Sequence, residues 1–218
     1  MSKWTAFKVG YVTRRNRVFA SPKFQHWAAR LPIIKWIARS RADAAFDLLA
    51  GFAYSQVLRA FVESGLFDVL KDGPLNVAEI AARIDLSESA ALTLLRAGRP
   101  LMLSEEPAPD QWMLGEQGAV FASNPGVQAM VRHHPVLYRD LADPVAFLRD
   151  GQDTELARFW PYVFGAAGAV DPEVTATYSR LMADSQVLVA EDTLRMVDLR
   201  GIRHLMDIGG GTGAFVTA

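Results

Sequence analysis

His204-Leu205-Met206-Asp207-Ile208-Gly209-Gly210-Gly211-Thr212-Gly213-Ala214-Phe215-Val216 reads as a strand, a glycine turn and the start of a helix. Residues 204–208 have the length and apolar content of a short buried strand, and 214–216 open a helix once the glycines have reversed the chain. Such a joint gathers unpaired backbone N–H groups and the positive end of the helix dipole at one point, where a ligand can be held. The glycines matter because a Cβ would obstruct the turn or the ligand's approach. A glycine-rich linker is the plainer alternative, and the apolar strand in front argues against it.

Two cofactor classes fit the spacing. Gly209, Gly211 and Ala214 satisfy the dinucleotide pattern G-x-G-x-x-G/A. Asp207-x-Gly209-x-Gly211-x-Gly213 also satisfies acidic-x-Gly-x-Gly-x-Gly, the pattern of S-adenosylmethionine sites. A carboxylate before the turn suits a cationic methionine end better than a pyrophosphate. Position agrees, since about two hundred residues precede the turn and a dinucleotide fold usually begins with it. Asp207, Gly209, Gly210, Gly211 and Gly213 are therefore the candidate cofactor residues. The plainer role for Asp207 is an acid favoured by the helix dipole alone.

The chain has 218 residues, half of them hydrophobic, enough for one large domain or two small ones with a sizeable core. It has no cysteine, which excludes disulfides and thiolate chemistry and fits a reducing cytoplasm. No apolar run is long enough to cross a bilayer, and no signal-peptide layout is visible. The net charge of −1 conceals a polarity: residues 1–42 carry ten Lys and Arg and no acid, whereas acids predominate from Asp43 onward. Trp4, Phe7, Tyr11, Phe19, Phe24, Trp27 and Trp36 interleave those cations. This basic aromatic arm suits an anionic membrane surface; alternatively it packs on its own or a partner subunit. Pro22 and Pro32 should break any long amphipathic helix within it.

From Asp43 to Ser64 the periodicity is helical, with Phe46, Leu49, Ala53, Val57 and Phe61 on one face. Asp72-Gly73-Pro74 marks a turn, Asn76-Val77-Ala78-Glu79 is a capping box, and Ser87 caps a helix from Glu88 to about Ala97. Met102-Leu103 and Trp112-Met113-Leu114 suggest a hairpin, with residues 105–110 as its loose tip. Helix, turn, helix and hairpin make a winged helix. Duplex affinity needs Lys and Arg against phosphate, yet Glu88 heads the would-be recognition helix and the wing offers Glu105 and Glu106, so no nucleic-acid partner is expected.

Beyond Gly118 the chain reads as helical and aromatic-rich, including a helix over Tyr138 to Leu148 and a long one over Glu173 to Met196. Phe159, Trp160, Tyr178 and Met182 are candidates for an apolar substrate wall, with ordinary core packing as the alternative. His133 and His134 are adjacent and point ~100° apart on a helix, so they cannot readily chelate one ion. They read as a helix-terminal histidine before Pro135 and a partly buried neighbour. No metal-ligand spacing is present.

The winged helix, the segment YSRLMADSQ at 178–186 and HLMDIGGGTG at 204–213 resemble the bacterial relatives of plant-type small-molecule O-methyltransferases. FDLLAGFAYSQVL (46–58), NPGVQAMVRHH (124–134), YRDLADPVAFLR (138–149) and ELARFWPY (155–162) resemble the branch that methylates carotenoid hydroxyls of the hydroxyneurosporene or demethylspheroidene type. The resemblance covers about residues 24 to 218. It implies a mainly α chain with a winged-helix dimerisation region and the start of a class I Rossmann-like α/β domain. Residues 1–42 would be the arm, 43–198 the dimerisation and substrate-pocket region, and 199–218 the first strand and turn of the cofactor domain.

The resemblance also implies S-adenosyl-L-methionine as cofactor, a homodimer, a cytoplasmic enzyme touching the membrane where a carotenoid dissolves, and Met182 against the acceptor. Arg96-Ala97-Gly98-Arg99-Pro100-Leu101 departs from the family, because Pro100 should end a helix that relatives continue. No catalytic residue is assigned within these residues. The family's proton-accepting histidine and its ribose-binding acid would lie past Ala218, so the chain is expected to be an N-terminal part, inactive alone. A non-catalytic dimerisation module and a winged-helix transcription regulator are the competing readings.

Overall fold

The computed structural model describes residues 2–150, 154–159, 191–208 and 213–217, with positions 176, 183, 186, 187, 189 and 190. It divides into two compact units, residues 1–54 and 55–218. In the first, Ser2 caps α1 (Lys3–Phe19) by accepting the Thr5 amide at 3.2 Å, and Ser21 caps α2 (Pro22–Ala28). Pro22 stands at the first turn of α2 and Pro32 begins α3 (Pro32–Glu63). Both prolines therefore start helices, where the missing N–H costs nothing, and they break the basic arm as its sequence requires. α3 begins earlier than the periodicity from Asp43 indicated, and it runs on into the second unit.

The second unit is built on the capped helices read from sequence. Gly65 introduces α4 (Leu66–Leu70), the Asn76–Glu79 capping box opens α5 (Val77–Arg83), and Ser87 opens α6 (Glu88–Gly98). In the box the Asn76 side chain accepts from Glu79 N at 2.9 Å, while the Glu79 carboxylate accepts from Asn76 N at 3.0 Å. Asn76→Ala should lower stability by about 1 kcal/mol in chemical denaturation, with an unchanged denaturant slope. Pro100 ends the α-helix at Gly98 and confines Arg99–Leu101 to a 3₁₀ turn.

The wing differs from its expected register. Its strands are β1 (Ser104–Ala108) and β2 (Gln111–Leu114), antiparallel, with Asp110 at the tip in the left-handed region. Met102 and Leu103 precede the first strand, and residues 105–108, expected as loose tip, form it. Met102 itself adopts φ 56°. Pro107 does not forbid this strand, because the ladder slips between Glu105 and Ala108 and asks for no N–H there. Leu75 adds a bridge to Trp112 through paired bonds of 2.9 and 2.8 Å.

Phe61, Leu66, Phe67, Leu70, Ile80, Leu95, Leu103 and Trp112 form the core where α3–α6 meet the wing. Gly118 is fixed by packing: a Cβ there would collide with the Leu103 carbonyl. It lies in α7 (Glu116–Ala122), followed by α8 (Pro125–Arg132) and α9 (His134–Asp140). The helix expected from Tyr138 to Leu148 is in fact two. Asp143 accepts from Val145 N at 3.1 Å and Ala146 N at 2.9 Å, so it and Pro144 restart the chain as α10 (Pro144–Asp150). A short α11 (Glu155–Phe159) follows, and the described positions between 176 and 196 are helical. No helix among the described residues is long and apolar enough to cross a membrane.

Candidate functional site

After the helical residues 189–196 the chain passes Asp198 and Arg200. The Arg200 guanidinium donates to both Asp198 oxygens, which holds the Asp198 carboxyl below its ordinary range, and Gly201 follows with φ 85°. Residues 204–208 then run as irregular chain, not as the buried strand expected. Leu205 is 53% exposed, Met206 82% and Ile208 88%. A strand is held by a neighbour's N–H and C=O groups, and the described residues supply none beside it; the β1–β2 hairpin is their only sheet.

Asp207 stands on this exposed stretch, two residues before the turn. Gly209, Gly210 and Gly211 lie outside the described residues. Gly213 is described: its φ is 80°, a region that L side chains rarely adopt. Its carbonyl accepts the Thr217 amide at 3.1 Å and so begins α12 (Ala214–Thr217). A left-handed glycine leading into a helix start leaves the first N–H groups of α12 unclaimed by the helix itself, the donor set an anionic or polar ligand end needs.

Of the candidate substrate wall, Phe159 is the last residue of α11, while Trp160, Tyr178 and Met182 lie outside the described residues. The position of α11 has a support that sequence reading missed. Both Asp140 carboxylate oxygens cap its N-terminus, accepting from Glu155 N and Leu156 N at 2.8 Å each. Arg139 completes the clamp by donating to both Glu155 oxygens, at 2.7 and 2.6 Å. The Arg-Asp dipeptide at 139–140 is unremarkable in sequence, because a cap supplied from fifteen residues away has no local signature.

A polar cluster lies on the other side of α9. Ser55 and Tyr138 hydroxyls are hydrogen-bonded, and the His134 ring meets Tyr138 edge-on at 6.5 Å. His133 caps α8 and His134 begins α9, both half-buried, as the helix-terminal reading expected. The described residues contain no group of acids and histidines able to hold a metal ion. Burial lowers the His133 pKa from its ordinary 6.5. The unfolded chain therefore binds the proton more readily, so the contribution to stability is complete above pH 6.5 and declines as pH falls below it. His133→Gln should flatten the pH dependence of the denaturation midpoint below that value.

A family model for an O-methyltransferase dimerisation domain matches residues 46–124, and one for an O-methyltransferase domain matches residues 138–218. The chain belongs to the O-methyltransferase family. It is 53% identical over 202 residues to a demethylspheroidene O-methyltransferase of Cereibacter sphaeroides, covering 93% of this chain and 53% of the relative. The corresponding protein of Rhodobacter capsulatus is 45% identical, with 95% and 52% covered. The chain thus spans about half the length of these relatives. Among solved structures, human N-acetylserotonin methyltransferase in complex with SAM matches with a TM-score of 0.60 at 23% identity, covering 81% of this chain and 55% of that one. At that identity the likeness concerns the fold.

Proposed function

We propose that this O-methyltransferase chain serves S-adenosylmethionine-dependent methylation of a carotenoid hydroxyl. The observation that carries the proposal is the 53% identity to a demethylspheroidene O-methyltransferase across 93% of the chain, ending in Asp207-x-Gly209-x-Gly211-x-Gly213. When bound, S-adenosylmethionine supplies an activated methyl group on a cationic sulfur. Asp207 and the glycine turn would hold its methionine end, and the left-handed Gly213 at the start of α12 fits that cradle. Phe159, Trp160, Tyr178 and Met182 would wall the apolar acceptor and orient its hydroxyl, so that binding contributes to rate through position. Proton removal is assigned to no residue of this segment. Residues 1–42 would form an arm, 43–198 the dimerisation and substrate-pocket region, and 199–218 the entry to the cofactor domain.

The partner in this reading is a second copy. Phe46, Leu48 and Leu49 of α3 are 60–88% exposed, although Phe46 and Leu49 lie on the apolar face of its periodic pattern. That face coincides with the start of the dimerisation-domain match and would be covered across a two-fold axis. Titrating the natural full-length protein separately with S-adenosylmethionine and NAD tests the cofactor assignment. Saturable binding of the first alone is expected; binding of NAD alone would restore the dinucleotide reading. Light scattering should give twice the subunit mass, and a monomer would remove the dimer from the account.

A further inference from the structure

The ten cations of residues 1–42 find no acid in their own segment, and α1 presents five of them in a definite pattern. At 100° per residue, Trp4, Phe7, Tyr11 and Val18 fall within a sector of about 60° along the helix. Lys3 and Arg14 border this stripe on one side, and Lys8 and Arg15 on the other. Trp4, Phe7 and Tyr11 are 64%, 65% and 61% exposed, and α1 has no buried residue. Trp4 and Phe7 stack at 5.9 Å, with the Lys8 ammonium over the Trp4 ring at 5.2 Å. Phe19 at the end of α1 and Phe24 and Trp27 of α2 form a second aromatic row at ring spacings of 6.0 Å.

We infer that α1 is a docking helix for an anionic lipid bilayer, lying along the headgroup layer with its aromatic stripe inward and its four flanking cations at phosphate level. Charge complementarity identifies the occupant. A run of ten cations without an acid matches a surface of fixed negative charge, while Trp and Tyr favour the zone where one end of the ring is apolar and the other wet. Lys and Arg reach outward from either side of such a stripe because their alkyl stems cover apolar surface while their charges remain hydrated. Nucleic acid would use the cations but would leave the stripe exposed between them. The inference rests on the arm alone and not on which hydroxyl is methylated.

The test is co-sedimentation of the natural full-length protein with phosphatidylcholine vesicles, with and without phosphatidylglycerol. Binding should require the anionic lipid and weaken as salt is added. Replacing Lys3, Lys8, Arg14 and Arg15 by Gln should reduce partitioning by ~100-fold or more. Trp4→Ser, Phe7→Ser and Tyr11→Ser together should reduce it by at least ~10-fold. Because nothing in α1 is buried, both variants should keep the parent's circular dichroism and methyl transfer to a detergent-dispersed acceptor. Equal partitioning to neutral and anionic vesicles would overturn the inference. So would loss of dimer in the aromatic variant, or tighter binding to duplex DNA than to anionic vesicles. Vesicle binding without methyl transfer would leave the inference intact and sink only the proposed function.

Discussion

Trp112→Ala should remove about 3–5 kcal/mol of stability, a large share of what a single domain possesses. Trp112 is 1% exposed at the centre of the α3–α6 and wing core, and its backbone holds the wing to Leu75 through both bridge bonds. Truncation would open a cavity between β2 and the helices, and the surrounding side chains can close it only in part. The Arg99 guanidinium, 6.0 Å from the ring, would also lose its aromatic partner. Trp112→Phe should cost less, since it keeps much of the packing and deletes the indole N–H, which is buried without a hydrogen-bond partner among the described residues. Equilibrium urea unfolding of the two variants measures the difference. Equal losses would show that side-chain volume at this position contributes little to stability.

Asp207→Ala in the natural full-length protein should weaken S-adenosylmethionine binding by roughly 10–100-fold, the range expected when a charged hydrogen-bonding partner is lost. Asp207 is exposed in this segment, so its removal should leave the denaturation midpoint of the 218-residue polypeptide unchanged. An acid that serves only the helix dipole would behave differently, giving a small stability loss and an unaltered affinity. Calorimetric titration beside thermal unfolding separates these roles. A variant that bound the cofactor like the parent would remove Asp207 from the proposed cradle.

The capped helices were legible because their signals are local. Asn76, Ser87 and Pro100 set their boundaries through bonds or clashes within four residues, and the structure places them as the sequence implied. The wing was legible as a hairpin but not in register, since Pro107 suggested a tip and the ladder slips around it. The cap of α11 by Asp140 was invisible, because it joins residues fifteen apart through a fold not encoded in either neighbourhood. Gly213 was legible for the reason that glycine patterns are informative: its φ of 80° excludes most other residues. Residues 204–208 form no strand among the described residues because apolar content records what a segment could bury, whereas a strand exists only beside another strand. Phe46 and Leu49 show the same limit, with an apolar pattern that the described residues leave 60% and 72% exposed.

The most direct test of the account is transfer of an isotopically labelled methyl group from S-adenosylmethionine by the natural full-length protein to a hydroxylated acyclic carotenoid, with the dehydroxylated carotenoid as control. A labelled methyl ether should form on the hydroxylated substrate alone, and its yield should fall greatly with Asp207→Ala. Labelling of both substrates, or of neither while S-adenosylmethionine binds, would contradict the account.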